Sequence, residues 1–185
     1  MEGRTPRSPR PPLLAVSSES EPRRTVAEAV LAARPARTHV RRMAIYTIGY
    51  EGATVEALLS ALNTAGVRRV IDVRALPLSR RPGFSKTPLW GALKEAGIDY
   101  VHLKALGTPK RGRDAAKKGD VATLTAVYNE QLALPEAQAA AVRMLELAAE
   151  RPSALLCFER DPCHCHRTLL LDAVHDGIEV IDLYA

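Results

Sequence analysis

The sequence predicts an α/β fold of three layers, in which a mostly parallel sheet of about five strands is covered by helices on both faces. From residue 44 onward, short apolar segments alternate with amphipathic helical patterns, as in proteins whose parallel strands are joined by crossover helices. The apolar segments are nearly continuous in Val, Ile and Leu, which is typical of strands buried on both faces. Glycine and proline separate the segments and mark the turns.

Five segments have the length and composition of buried strands. The predicted strands are residues 44–48, 67–73, 98–103, 155–158 and 178–183. The helices are predicted from apolar residues at helical spacing and from residues that favour the first positions of a helix. The predicted helices run from Thr54 to Gly66, from Thr87 and Pro88 to Gly97, from Asp120 to Leu132, from Pro135 to Pro152 and from Cys165 to Val174. We expect a Rossmann-like arrangement of these elements.

Two long segments, residues 74–86 and 104–119, are predicted as loops that leave the carboxyl edge of the sheet. Connections of this length in a compact domain often bind ligands or act as lids. Residues 74–118 carry eleven Lys and Arg against three acidic residues, whereas residues 119–185 carry four against eleven. A basic segment in an acidic body indicates an anionic ligand, although solvated loops give the same pattern.

The first 42 residues form an arm that is rich in Arg and Pro. Such a composition buries too little apolar surface to offset chain entropy, so we expect disorder there. The Ala, Val and Leu of residues 25–34 are compatible with a short helix. Met43 directly precedes the first strand, and we hypothesise that it is the natural start and that residues 1–42 are an upstream mis-start. A basic arm for nucleic acid or for targeting is the alternative. Residues 43–185 are predicted to form a single α/β domain.

The composition is typical of a soluble protein, with 46% hydrophobic and 25% charged residues. The formal net charge of +5 comes from the arm, which has nine Arg against four Glu. Three cysteines cannot all pair, no secretory segment is present, and the longest apolar stretch is far shorter than a membrane helix. We therefore expect a cytoplasmic protein with no membrane partner and no cofactor, and the oligomeric state stays open.

Polar side chains collect where the predicted strands end. The residues there are Gly49, Tyr50 and Glu51 after the first strand, Asp72 and Arg74 after the second, His102 and Lys104 after the third, and Glu159 with residues 163–167 after the fourth. Open parallel sheets bind their ligands at this carboxyl edge. We therefore expect the functional site at this edge.

Several short blocks of sequence together amount to a family resemblance. The blocks are residues 47–52 (Thr-Ile-Gly-Tyr-Glu-Gly), 71–74 (Ile-Asp-Val-Arg), Pro77, Ser79 with Arg80, 82–86 (Pro-Gly-Phe-Ser-Lys), 97–100 (Gly-Ile-Asp-Tyr), Leu106 with Gly107, 157–159 (Cys-Phe-Glu), Asp161 with Pro162, and 165–167 (Cys-His-Arg). With these blocks in order from Met43 to its end, the chain resembles the domain-of-unknown-function family 488 (DUF488). The resemblance implies the α/β fold and membership of the family, but it implies no activity, because the family has no settled biochemical role.

The resemblance also identifies individual residues. The family's Cys-His-Arg trio matches Cys165, His166 and Arg167, its Asp-x-Arg pair matches Asp72 and Arg74, and its turn tyrosine matches Tyr50. Cys163 and His164 are additions in this chain. A role shared with the family is therefore not carried over to these two residues.

Cys165 is the candidate nucleophile. A thiol at a helix N-terminus beside Arg167 and His166 is expected to have a lowered pKa, because each neighbour favours the thiolate. Phosphatase-like and sulfurtransferase-like enzymes use a thiolate at a similar turn, but the Arg of a Cys-x5-Arg phosphate loop is absent here. An ordering or binding role stays open. A third alternative is a buried thiol that packs the turn while Arg167 pairs with Glu159 or Asp72.

A metal site is considered for residues 163–166 (Cys-His-Cys-His) and is not predicted. Zinc ligands usually lie two or more residues apart and include a second pair from elsewhere in the chain. Adjacent residues at the start of a helix point away from one another. Cys157 is expected in mid-strand, and His102 or His175 would have to fold in.

Two hypotheses on function follow. The first is an enzyme that uses Cys165 on a small anionic or nucleotide-like substrate, and the second is a non-catalytic module that binds nucleic acid or a nucleotide. The candidate catalytic residues are Cys165, His166, Arg167, Asp72 and Glu159. The candidate ligand-binding residues are Gly49, Tyr50, Arg74, Ser79, Arg80, Lys86 and Lys104. Arg80 is expected to point inward, whereas Arg81 is expected to face solvent.

Overall fold

The computed structural model describes residues 43–174 and 177–185, except for the side chain of His164. Five parallel strands form one sheet in the order β3-β2-β4-β1-β5. The strands are β1 (Met43–Gly49), β2 (Arg69–Asp72), β3 (Asp99–His102), β4 (Ser153–Cys157) and β5 (Ile178–Tyr184). The predicted α/β class and the five-stranded parallel sheet are confirmed. The predictions for residues 1–42 and for His175 lie outside the described residues.

Helices connect the strands. The α-helices of the described residues are α1 (Val55–Thr64), α2 (Lys86–Glu95), α3 (Lys110–Lys117), α4 (Val121–Leu132), α5 (Pro135–Glu150) and α6 (His166–Val174), with short 3₁₀ helices at Lys104–Leu106 and Pro162–His164. Two predicted caps are confirmed, because the side chains of Thr54 and Asp120 accept hydrogen bonds from the backbone N–H groups of Ala57 and Thr123. None of these helices has both the length and the apolar character that a membrane span requires.

Two helix predictions are wrong. Helix α2 begins at Lys86 with Ser85 at its N-cap, whereas the sequence favoured Thr87 as the cap. Helix α3 lies in a segment predicted as a loop. Its buried residues are only Gly112 and Ala115, so it has no large apolar side chains whose spacing would reveal a helix.

The helices cover both faces of the sheet. Helices α1 and α2 share one buried cluster, which contains Tyr50, Leu58, Leu62, Val70, Phe84, Leu89, Leu93 and Leu156. Helices α4, α5 and α6 share the other, which contains Ile45, Ile71, Tyr128, Leu132, Met144, Leu147, Leu155 and Leu170. The Rossmann-like order is not confirmed, because β4 lies between β2 and β1, which are direct neighbours in a Rossmann sheet.

The chain leaves the neighbouring strands β1 and β4 toward opposite faces of the sheet, because β1 continues to α1 on one face and β4 continues to α6 on the other; open parallel sheets bind their ligands at such a position. The backbones of β1 and β4 stay paired beyond the strands, where the N–H of Glu51 donates to the carbonyl of Phe158 at 2.8 Å. The turn after β4 lies so close to Gly49 that an added Cβ would overlap the carbonyl of Glu159. Gly49 therefore seats this turn on the end of β1.

We expect Gly49→Ala to lower the free energy of unfolding by about 1–3 kcal/mol, because the turn after β4 must move away from the new methyl group. Gly91→Ala is the matched control, since an added Cβ on this residue of α2 meets no atom within 4 Å. Alanine is the better helix former there, so stability should stay constant or rise by up to about 1 kcal/mol. Urea denaturation of both variants measures the difference, and equal stabilities would contradict the close packing at Gly49.

Candidate functional site

Four side chains converge after β4, and we call Cys157, Glu159, Cys165 and His166 the cysteine cluster. One donor atom from each lies within 4.8 Å of all the others. The Cys157 thiol donates to Oε2 of Glu159 at 2.8 Å, and Sγ of Cys165 lies 3.3 Å from the same oxygen. Nδ1 of His166 lies 3.6 Å from Sγ of Cys157 and 3.8 Å from Sγ of Cys165. The cluster therefore brings two thiols, a carboxylate and an imidazole to one point.

The turn between β4 and α6 positions Cys165. The carboxylate of Asp161 accepts a hydrogen bond from the N–H of Cys163 at 2.9 Å, and Pro162 begins the 3₁₀ helix. The carbonyl of Pro162 then accepts hydrogen bonds from the N–H of Cys165 at 3.0 Å and from the hydroxyl of Thr168 at 2.6 Å. These local bonds place Cys165 directly before the first residue of α6, where the helix dipole favours a negative charge.

Arg167 is fully buried and lies against the cluster. Its Nε donates to Sγ of Cys165 at 3.2 Å, its Nη2 to the carbonyl of Glu159 at 2.6 Å, and its Nη1 to the hydroxyl of Thr47 at 3.4 Å. No ion pair of the described residues includes Arg167. Of the two partners that the third alternative gave it, Arg167 contacts Glu159, and it does so through the backbone carbonyl and not through the carboxylate.

The two thiols of the cluster differ in their pKa. Burial opposes ionisation of Cys165, but the hydrogen bond from Cys157 and the positive charges of His166 and Arg167 outweigh it and lower the pKa of Cys165 well below its usual value. Burial raises the pKa of Cys157 well above its usual value, and its contacts with Cys165 and Glu159 raise it further. The arrangement thus favours a thiolate at Cys165 and a thiol at Cys157.

His166 is held by contacts outside the cluster. Its Nε2 lies 3.0 Å from the carbonyl oxygen of Val73. A carbonyl oxygen can only accept a hydrogen bond, so Nε2 carries a proton, and Nδ1 faces the two sulfur atoms. The ring packs edge-on against Tyr128 with the centroids 5.2 Å apart. Burial alone would lower the pKa of His166, but the neighbouring Cys165 thiolate raises it. The pKa of Glu159 is raised by burial and by Cys165.

A second group of side chains, Tyr50, Asp72, Arg74, Phe84 and Tyr100, forms what we call the arginine network. Asp72 accepts from Nε and Nη2 of Arg74 at 2.9 and 2.6 Å, and from the hydroxyl of Tyr100 at 2.6 Å. Nη1 of Arg74 donates to the hydroxyl of Tyr50 and to the carbonyl of Phe84, both at 2.9 Å. The rings of Tyr50 and Phe84 stack with centroids 4.4 Å apart. The donors of Arg74 are therefore bonded to groups inside the protein, which leaves this side chain little capacity to bind an anion.

The remaining candidate ligand-binding residues are Ser79 and Arg80 between β2 and α2, Lys86 at the first position of α2, and Lys104 just after β3. Arg80, Lys86 and Lys104 are exposed, and Ser79 accepts a hydrogen bond from the N–H of Arg81 at 3.1 Å. Nη2 of Arg81 donates to the carbonyl of Ala53 at 2.6 Å. The expectation that Arg80 points inward and Arg81 faces solvent is wrong, because Arg80 is exposed and Arg81 is bonded to the backbone.

Sequence reasoning missed Cys157 and Tyr100. Cys157 is the last residue of β4 and not a mid-strand residue, so its thiol reaches the cluster. The spacing of Cys157 and Glu159 could have predicted this contact, because residues i and i+2 of an extended segment point to the same side. Cys163 is exposed and takes no part in the cluster.

Comparison with known proteins gives one match. A family model described as "Domain of unknown function DUF488" matches residues 54–174. The matched segment contains the whole cysteine cluster and all of the arginine network except Tyr50. No curated protein and no solved structure matches the chain.

We expect Asp72→Asn to lower the free energy of unfolding by about 3–5 kcal/mol, because it leaves the buried guanidinium of Arg74 without its counter-ion. The control is Glu146→Gln, which removes an exposed ion pair with Arg143 and should cost less than about 1 kcal/mol. Chemical denaturation measures both values. A loss for Asp72→Asn as small as that of the control would show that the arginine network does not stabilise the fold.

Proposed function

The chain belongs to the DUF488 family, which is defined without a known function, and from its site we propose an enzyme that uses Cys165 as a nucleophile and Cys157 as a second, resolving thiol. The substrate class is a small disulfide that carries negative charge. The reaction is thiol–disulfide exchange, in which the two cysteines pass two electrons to the substrate.

The observation that carries the proposal is the pairing of Arg167 with a sulfur atom. A buried guanidinium needs a nearby negative charge, and among the described residues no carboxylate lies within ion-pair distance of it. Sγ of Cys165, 3.2 Å from Nε, is the group placed to supply that charge. This favours the thiolate, which is the nucleophilic form of cysteine.

The exchange proceeds in two steps. The thiolate of Cys165 attacks one sulfur of the substrate, the S–S bond breaks, and the first product leaves as a thiolate. Glu159, whose Oε2 accepts from the Cys157 thiol at 2.8 Å, then takes the proton of Cys157. The sulfur of Cys157 attacks that of Cys165, releases the second product thiolate and leaves a disulfide between the two cysteines. The products take their protons from Glu159 and from water, and an external dithiol restores the reduced protein.

Burial and charge limit the substrate. The exposed fractions of Cys157 and Cys165 are 5% and 3%, and Glu159 is the partly exposed member of the cluster. A substrate must therefore be small and must approach past Glu159. Exposed basic side chains between β2 and α2, at the start of α2 and after β3, which include Arg80, Lys86 and Lys104, would attract a negative charge to this edge. This attraction favours an anionic substrate.

The alternative of a module that binds nucleic acid or a nucleotide stays a prediction from the charge of residues 74–118. No contact of the described residues favours it. The buried guanidiniums of Arg74 and Arg167 already donate to partners inside the protein, and such groups do not contribute to binding of a phosphate backbone.

The test is a single-turnover reaction of the reduced full chain with an anionic aromatic disulfide whose thiol product absorbs visible light, in the presence of a metal chelator. Cys163→Ser is the background, because it removes the exposed thiol that would react without specificity. The Cys163→Ser protein should release about two thiol equivalents per chain and form the Cys157–Cys165 disulfide.

Two further variants separate the roles of the cysteines. Adding Cys165→Ser should slow thiol release at least about 100-fold, because a neutral hydroxyl replaces the thiolate. Adding Cys157→Ser should give about one thiol equivalent and a trapped mixed disulfide on Cys165, visible by mass spectrometry. Unchanged rates in the Cys165→Ser variant would refute the proposal, provided that circular dichroism shows it to be folded.

A further inference from the structure

The donor atoms of the cysteine cluster all lie within 4.8 Å of one another, and three of their distances match those between the ligands of a tetrahedral metal ion. Bond lengths of about 2.3 Å to sulfur and about 2.0 Å to nitrogen or oxygen place neighbouring ligands roughly 3.3–3.8 Å apart. The observed distances are 3.6 and 3.8 Å from Nδ1 of His166 to the two sulfurs and 3.3 Å from Oε2 of Glu159 to Sγ of Cys165. The distance from Oε2 to Sγ of Cys157 is 2.8 Å, and it needs to open by less than 1 Å. From this geometry we infer that Cys157, Glu159, Cys165 and His166 bind a single zinc-class divalent ion.

The surroundings of the cluster fit a metal centre as well. Metal-binding histidines usually donate their second N–H to a backbone carbonyl, which orients the ring. His166 does this through the 3.0 Å bond from Nε2 to Val73, and this leaves Nδ1 as the ligand. Arg167 donates to Sγ of Cys165 from outside the cluster, so the ligand sulfur is also held in place. Both ligands are therefore oriented before an ion arrives.

The charges balance when an ion is bound. Binding releases the remaining thiol proton to solvent, so two thiolates and one carboxylate surround a doubly charged cation and leave a net charge of −1. Arg167, which is fully buried and has no carboxylate partner among the described residues, supplies the compensating positive charge. Sγ of Cys165, which faces Arg167 in the empty site, stays beside it as a metal ligand in the filled site, so the buried guanidinium keeps an ionic partner.

The ligand types select the ion. Thiolate and imidazole ligands favour zinc and similar transition metals, whereas magnesium and calcium require oxygen ligands. Four protein ligands complete a tetrahedron, as in structural zinc sites, and leave no position for a substrate. The ion would therefore hold both thiols and prevent exchange. This consequence rests on the proposed function, whereas the binding of the ion does not.

The test is a titration of the reduced full chain, purified without a histidine tag, with Co²⁺ as a spectroscopic substitute for zinc. We expect saturation at about one ion per chain, with thiolate-to-metal charge-transfer bands and the visible bands of a tetrahedral site, and displacement by Zn²⁺. Cys163→Ser should give the same spectrum. Cys157→Ser and Glu159→Gln should each weaken Co²⁺ binding at least about 10-fold, and Cys157→Ser should also weaken the charge-transfer bands.

Several outcomes would overturn the inference. They are an absence of thiolate-to-cobalt bands in the wild-type chain, an octahedral spectrum, or a signal that is lost in Cys163→Ser and kept in Cys157→Ser. The wild-type spectrum decides even if a variant fails to fold. Exchange by the chelated protein together with no Co²⁺ binding would refute the metal site and leave the proposed function intact. Co²⁺ binding by a protein that shows no exchange after chelation would support the metal site and refute the proposed function.

Discussion

The buried guanidinium of Arg167 is the interaction on which the site depends. It joins Thr47 of β1, the carbonyl of Glu159 after β4 and the sulfur of Cys165 before α6. A guanidinium removed from water is stable only if its donors and its charge are satisfied. The turn after β4 must therefore close around Arg167 in one arrangement, and that arrangement brings the two thiols, the carboxylate and the imidazole together.

Arg74 and Arg167, the two buried arginines at the carboxyl edge of the sheet, face different groups. Arg74 meets the carboxylate of Asp72 through two hydrogen bonds, which is a strong and chemically inert pairing. Arg167 meets a sulfur, which can be oxidised, can attack a substrate and can bind a metal. The first arginine therefore fixes the segment that follows β2, whereas the second holds the sulfur of Cys165 in place.

The sequence predicted those features whose cause is local. Thr54 and Asp120 could be identified as caps because their hydrogen bonds span three residues, and Cys165 could be placed at a helix start from its neighbours alone. Helix α3 was missed because small residues form its buried side. The inward position of Arg81 instead of Arg80 depends on the carbonyl of Ala53, which is distant in sequence. No local pattern encodes contacts of that kind.

Residues 72–74 connect the arginine network to the cysteine cluster. The side chains of Asp72 and Arg74 lie in the arginine network, while the carbonyl between them, that of Val73, accepts the hydrogen bond from His166. A rotation of this peptide unit would change both groups at once. The segment after β2, which Arg74 holds through the carbonyl of Phe84, thus begins at the same peptide unit whose carbonyl orients the imidazole of the cysteine cluster.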